Sequence, residues 1–350
     1  MDTANGGFLM GVVLITGFTG QVGSQLAEYI AENTDHEIVG FMRWQEDQKN
    51  ISAMIEKINK SDGVYVEYGD LQDYASIQAC IKKWYPTYIF HLGAQSYPKT
   101  SFSIPIETLQ TNIIGTANLL EVVKGIKSPK YDPVIHICSS SEVYGKATST
   151  DLLNEDTPFH GASPYSISKI GTDYLGQFYA EAYGLKTFIT RMGTHSGKRR
   201  SDVFFESTVA KQIALIEAGL QNPEIKIGNL NSIRTFQDTR DAIKAYWLLA
   251  EAMFEQKITA GDVFNIAGDE KFKLSDVVDI MLSMSSVKNI RVVCDPERLR
   301  PIDADYQMFD NSKIKSVIPW EPQISVSSMF EDLINHWRSE VSQNRIPLDR

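Results

Sequence analysis

Cysteine is scarce in this chain: Cys80, Cys138 and Cys294 are the three among 350 residues. They form no C-x-x-C pair and join no histidine at metal-ligand spacing, which excludes a zinc module and a disulfide framework. What remains is small side chains in a reducing compartment, so a cytoplasmic protein is expected. No apolar run approaches the roughly 20 residues needed to cross a bilayer. Residues 1–10 lack the basic and apolar stretches of a secretion signal, and residues 1–9, with Asn5-Gly6-Gly7, read as a flexible leader. Positive charge is also short: 34 Lys and Arg face 44 Asp and Glu, for a net charge of -10. Nucleic-acid binding is therefore not expected, whereas an anionic nucleotide in a locally basic pocket is compatible. Internal repeats and low-complexity linkers are missing as well.

What is present is a rhythm. Short apolar strands are predicted at 12–16, 36–42, 64–68, 88–92, 134–138 and 186–191. Helical spacing fills the gaps at 25–32, 50–60, 74–83, 106–124 and 165–183. Such alternation predicts an α/β fold, a doubly wound parallel sheet covered on both faces. After Arg191 the rhythm breaks into polar loops with helices at 206–218, 238–255, 274–283 and 326–337 and strands at 263–267 and 290–294. The expected organisation is a nucleotide-binding domain over 10–191, partly rejoined by 228–267. A smaller C-terminal lobe takes 192–227 and 268–340.

Thr16-Gly17-Phe18-Thr19-Gly20-Gln21-Val22-Gly23 joins the first strand to the first helix. Gly17 suits a positive φ, Gly20 lets a pyrophosphate approach the helix N-terminus, and Gly23 permits close helix–strand packing. Three glycines at this place point to a dinucleotide. The second strand ends at Arg43, whose guanidinium fork suits a 2′-phosphate and hence NADP. Glu46, slightly further on, would instead serve NAD. Asp70 follows the third strand and is placed for an adenine amino group. Leu71, Leu92, Thr16 and Gln21 complete the expected cofactor set.

Tyr165 and Lys169 share one face of a predicted helix. An ammonium and a positive nicotinamide ring near a phenol lower its pKa from about 10. Tyr165 then takes a proton from a sugar hydroxyl while hydride leaves the same carbon. Cys138-Ser139-Ser140-Ser141-Glu142-Val143-Tyr144-Gly145 places hydroxyls and a carboxylate at the ligand-binding edge of the sheet. Ser140 can hold the reacting hydroxyl, and Glu142 can act as a base on a carbon beside a ketone.

Together these segments resemble the extended short-chain dehydrogenase/reductases that modify sugar nucleotides. The nearest resemblance is to the GDP-mannose 4,6-dehydratases and their relatives, the reductases of GDP-4-keto-6-deoxymannose. It spans residues 12–337 and includes His91-Leu92-Gly93-Ala94-Gln95-Ser96, Asn112 with Gly115-Thr116, His195 with Lys198-Arg199-Arg200, and Arg300-Pro301. It implies a Rossmann-type domain with a small C-terminal substrate lobe and a homodimer or homotetramer. Tyr165 and Lys169 would be the redox couple, with Ser140 in the place of the dehydratase threonine and Glu142 in that of its base. Ser96, Thr194, Lys211, Arg234 and Arg300 would meet the substrate, the two arginines at its diphosphate. Departures from the family pattern are Thr194 where asparagine is usual, Lys198 where proline is usual, and Thr235 where an acidic residue is usual.

The activity so implied is conversion of GDP-mannose to its 4-keto-6-deoxy derivative, with hydride moved internally from C4 to C6. A 4-ketoreductase or 4-dehydrogenase of a GDP-hexose or heptose would need only the hydride and Tyr165. A non-catalytic NADP sensor on the same fold would have no chemical need for Ser140, Glu142, Tyr165 and Lys169 together.

Overall fold

In the computed structural model, which describes residues 11–146, 152–299, 302, 306–343 and 345, the buried run Val12–Thr16 forms the central strand β1. The leader and Arg300 lie outside the described residues. Along the first half follow α1 (Gln21–Asn33), β2 (Glu37–Met42), α2 (Ile55–Lys60), β3 (Val64–Tyr68), α3 (Tyr74–Trp84) and β4 (Tyr88–His91). Next come α4 (Pro98–Ser101), α5 (Pro105–Leu109), α6 (Gly115–Ile126), β5 (Val134–Cys138), α7 (Pro164–Tyr183) and β6 (Lys186–Met192). The second half holds β7 (Thr194–Ser196), α8 (Phe205–Glu217), β8 (Glu224–Ile227), β9 (Ile233–Asp238), α9 (Thr239–Phe254) and β10 (Val263–Ile266). It ends with β11 (Lys271–Lys273), α10 (Leu274–Ser283), β12 (Arg291–Cys294), α11 (Ser312–Val317) and α12 (Val326–Ser342).

Among the described residues the main sheet has seven strands in the order β10-β6-β5-β4-β1-β2-β3. Every neighbour pair in it is parallel. Both faces are covered, which explains why the strands are almost continuously apolar. One face carries α1, α9 and α11 over a core that includes Phe18, Leu26, Ile30, Phe90, Tyr246 and Trp247. The other carries α3, α6 and α7 over Leu14, Ile81, Leu119, Val123 and Ile135. A third core, built from α8, α10 and α12 around Ile213, Val277, Phe330 and Leu333, belongs to the lobe. Two small sheets, β11-β9-β7 and β12-β8, accompany it, the second packed against α8.

The order of strands reverses between β1 and β4, so the connections leaving their paired C-terminal ends diverge and open a crevice. The helix expected over 106–124 is interrupted there: Gln110–Ile114 forms a π-turn between α5 and α6. The extra residue faces Asn112 inward, where its side chain pairs with the backbone of Gln95 at 2.8 and 3.0 Å. That tertiary bond leaves no trace in the apolar spacing. The first part of the helix expected over 50–60 is a 3-10 turn, Lys49–Met54.

Candidate active site

The crevice continues into a cleft of about 660 Å³ between the main sheet and the lobe. At its floor the glycine turn behaves as its sequence requires. Gly17 has φ +70°, and a Cβ there would come within 2.8 Å of the Gly93 nitrogen. A Cβ on Gly23 would strike the Gly17 carbonyl at 2.3 Å. Gly20 caps α1 without a side-chain bond, and no acidic residue stands in the first turn. The turn is therefore a bare helix N-terminus open to an anion, and it fits the pyrophosphate of a dinucleotide. The Gln21 side-chain amide is already engaged, donating to Thr239 Oγ1 at 3.0 Å and to the Lys198 carbonyl at 3.3 Å.

Thr16, Asp70, Leu71 and Leu92 line the same cleft, as does Arg43. Asp70 accepts from the Gln72 N–H at 2.9 Å, and Leu71 packs under Gly93 and Gly115. Arg43, 64% exposed at its side chain, pairs with Glu46 at 2.8 Å. Glu46 also accepts from the Thr19 hydroxyl at 2.6 Å. The arginine suited to NADP and the carboxylate suited to NAD thus hold each other at one edge.

Beneath the turn lies a buried column of hydrogen bonds. The Thr116 hydroxyl donates to the Asn112 carbonyl at 2.6 Å, so its oxygen accepts from His91 Nε2 at 2.9 Å. His91 Nδ1 must then accept from the Thr16 hydroxyl at 3.0 Å, whose oxygen accepts the Gly93 N–H at 3.0 Å. Hydrogen-bond directions assigned in this way require a neutral imidazole. Burial, with Lys169 as the second cause, holds His91 down at about 3.

Tyr165 stands at the start of α7. Ser163 and Ser166 form a capping box, and Pro164 takes the first helical position. The Tyr165 N–H, which has no partner within the helix, donates to Ser101 Oγ at 3.1 Å. Its carbonyl accepts from Ser168 at 2.6 Å, and Ser168 accepts from Asn112 at 2.8 Å. Lys169, one turn on, donates to the Cys138 carbonyl at 2.7 Å. Burial raises the phenol above its ordinary value, and the nearby Ser140 hydroxyl works against that. Burial also lowers the Lys169 ammonium. In the protein alone, desolvation outweighs the groups that favour phenolate; the lowered phenol read from the sequence also counts the charge of a nicotinamide ring. Glu142 follows on the 3-10 turn Ser141–Tyr144, which Ser140 caps by accepting from the Glu142 N–H at 3.2 Å. Ser140, Glu142, Tyr165 and Lys169 all line the cleft.

The lobe contributes Thr194, Arg234 and Phe236, with Thr194 paired opposite Phe236. Ser96 lines the opposite wall and is exposed. Lys211 is not among the lining residues: its ammonium is held by Asp202 at 2.9 Å and lies 5.8 Å from the Trp337 ring. Arg200 does line the cleft, stacked 3.5 Å over Phe204 and bonded to Glu206 at 2.9 Å. Tyr97 meets Phe204 edge-on across the cleft at 5.7 Å, and Lys99 reaches the Glu297 carbonyl at 2.6 Å. The 198–200 run signalled Arg200 in sequence, but nothing there tied it to an aromatic neighbour.

A glycine turn at the switch point of a parallel sheet, with Ser140, Tyr165 and Lys169 on adjoining strand and helix ends, defines an extended short-chain dehydrogenase/reductase. The sequence model of the family described as GDP-mannose 4,6 dehydratase matches residues 14–333, and the chain belongs to that family. It is 28% identical over 347 residues to the GDP-mannose 4,6-dehydratase of Yersinia enterocolitica, covering 92% of each chain. It is also 26% identical over 259 residues to the GDP-6-deoxy-D-mannose reductase of Pseudomonas aeruginosa, covering 74% of this chain and 82% of the other. The fold matches a structure described as RMD from Pseudomonas aeruginosa complexed with NADPH, with a TM-score of 0.77, 23% identity and coverage of 95% and 100%.

The buried imidazoles set a pH dependence of stability. His91 at about 3, His195 at about 4 and His136 well below 6.5 are all held neutral first by burial. Their stabilisation is complete above the unfolded value of 6.5 and is lost as pH falls toward the folded values, because the unfolded chain binds the protons. Each costs about 1.4 kcal/mol per pH unit in that window. Urea unfolding of His91→Gln between pH 6 and 4.5 should show a slope shallower by about one such increment. A slope equal to wild type would show that His91 is not neutral in the fold.

Proposed function

We propose that the protein is an NADP-dependent sugar-nucleotide 4,6-dehydratase that converts GDP-mannose to GDP-4-keto-6-deoxymannose. The observation that carries this reading is Glu142 in the same cleft as Ser140, Tyr165 and Lys169. A redox couple alone serves a dehydrogenase, whereas elimination of water also needs a base for carbon.

The residues of the glycine turn, with Arg43 at its edge, would hold a nicotinamide dinucleotide, which supplies a hydride acceptor and donor. Ser140 orients the C4 hydroxyl, and Tyr165 removes its proton as C4 becomes a ketone. Forming phenolate in a buried site is costly, and the Lys169 ammonium one turn away offsets that charge. The ketone acidifies the C5 hydrogen. Glu142 takes that proton, the C6 hydroxyl leaves, and the protonated Glu142 delivers the proton that turns it into water. The hydride taken from C4 would return to C6 of the resulting double bond, and a proton returned to C5, matching the one Tyr165 took, would complete the 4-keto-6-deoxy sugar with no net use of the dinucleotide. Arg234 and, outside the described residues, Arg300 are proposed to meet the diphosphate, with Ser96 and Thr194 at the sugar. For Lys211, the Asp202 ion pair supports a supporting role in α8 over direct contact.

The reductase relative favours a second reading, a 4-ketoreductase or 4-dehydrogenase. The two separate in one assay: a dehydratase turns over repeatedly without external nicotinamide, and a reductase or dehydrogenase consumes it stoichiometrically. No helix among the described residues is long and apolar enough to cross a membrane, and the proposed setting is the cytoplasm.

Three outcomes test this reading. Tyr165→Phe should abolish the first oxidation. Glu142→Gln should still reduce the bound cofactor when GDP-mannose is added, then stall, with turnover and C5 exchange into deuterated water down on the order of 10²–10⁴-fold. Wild-type turnover in Glu142→Gln would make the second reading the better one. Arg43→Ala should weaken NADP more than NAD, since the side chain can swing from Glu46 to a phosphate at small cost; equal loss for both would remove Arg43 from the cofactor site. Finally, α5 and α7 leave Ile106, Ile167, Tyr174 and Phe178 exposed on neighbouring helices. A second copy is proposed to cover them. Light scattering should give at least twice 39.3 kDa, and a monomer at micromolar concentration would overturn the pairing.

A further inference from the structure

Gln307 is a buried amide whose backbone is fixed and whose side chain is left without a partner. Tyr306 bridges to Ile233, and the Gln307 N–H donates to the Ile233 carbonyl at 3.1 Å. Only 2% of the residue is exposed. Its amide nitrogen has no hydrogen-bond partner, and among the described residues no group bonds the amide oxygen either. Gln307 lines the cleft beside Arg234, Phe236 and Thr194. Native proteins rarely leave a buried amide nitrogen unpaired, because its desolvation goes uncompensated. A side chain that met only apolar wall would be better as methionine or leucine.

The unpaired ends say what completes them. An amide offers a donor and an acceptor together. Diphosphate oxygens only accept and would leave the amide oxygen bare, and they already have a guanidinium in Arg234. A hydroxyl both donates and accepts. We infer that Gln307 is a specificity residue of the lobe that binds a hydroxyl of the sugar nucleotide, an inference that rests on the sugar-nucleotide reading of this cleft. Hexose and ribose both carry such hydroxyls.

Gln307→Met keeps the length of the side chain and removes the amide. In the ligand-free protein its urea midpoint should equal or exceed that of wild type, since no protein hydrogen bond is lost. Titrated with GDP-mannose, the variant should bind about tenfold more weakly. GDP provides the second arm: unchanged GDP affinity assigns the hydroxyl to the hexose, and an equal loss assigns it to the ribose. A clear fall in the ligand-free midpoint would make the amide a structural group and overturn the inference, as would wild-type affinity for both ligands. The dehydratase reading fails separately, if the wild type binds GDP-mannose and releases no water.

Discussion

The neutral His91 is the joint on which the site is hung. Strand order reverses between β1 and β4, and their pairing ends at Thr16 and His91, after which the connecting segments diverge. Thr16 ends one strand and His91 the other, and the 3.0 Å side-chain bond between them reinforces the last rung of that ladder. Each further bond in the column has one permitted direction, because the Thr116 proton is committed to the Asn112 carbonyl. A protonated imidazole would turn Nδ1 into a donor and oblige the Thr16 hydroxyl to turn its proton away from the ring. The large downward shift of His91 is therefore a condition of the geometry as well as a result of burial. Through Gly93, the column also sets the close approach to Gly17 that only glycine permits.

From Asn112 the same network reaches the reacting phenol. Asn112 clamps Gln95 by both backbone groups and donates to Ser168, which donates to the Tyr165 carbonyl. The π-turn at Gln110–Ile114 makes this possible, since a regular helix would rotate Asn112 by about 100° away from where the turn sets it. Ser101 fixes the other side of Tyr165. In the proposed reaction, a phenol made less acidic by burial has to be placed accurately, because its activation would depend on Lys169 and on the substrate hydroxyl. On the far side of α7, the buried Arg191–Asp173 pair anchors the helix to β6 at 2.9 Å. Removing one partner of such a pair would leave an uncompensated charge.

Much of this was legible in the sequence, and what was not has a physical reason. The first six strands announce themselves because a parallel sheet covered on both faces demands unbroken apolar runs. The glycine turn and the Tyr165–Lys169 spacing are local constraints, so their signatures are local. β7, β9 and β11 were missed because they are short and mix polar with apolar residues. β9 pairs with β7 about forty residues away. The π-turn answers a tertiary bond. Lys211 was placed toward the ligand, but α8 turns it to Asp202 and Trp337, and only the packing of α12 on α8 decides that. Gln307 is invisible for the same reason: its neighbour in space, Ile233, is distant in the chain.

The last step concerns how the two halves of the cleft are joined. Gln21, in the glycine turn, donates to the Lys198 carbonyl, and Gln25, one turn along α1, donates to the same atom at 3.0 Å. Arg199, held at φ +66°, reaches back to Ser24 at 3.1 Å and Glu28 at 2.6 Å. The helix whose N-terminus receives an anion thus also grips the loop that carries Arg200 and leads to Phe204. A non-glycine residue at positive φ is strained and persists only where its surroundings fix it, and here four side chains of α1 do so. Arg200 is consequently positioned by the glycine-turn helix from below and by Phe204 and Glu206 from the lobe. A shift of α1 on filling the turn would be felt first at this guanidinium. The lobe's wall and the sheet's edge are therefore tied through α1, as the proposed reaction requires when its redox groups come from the sheet and its substrate contacts from the lobe.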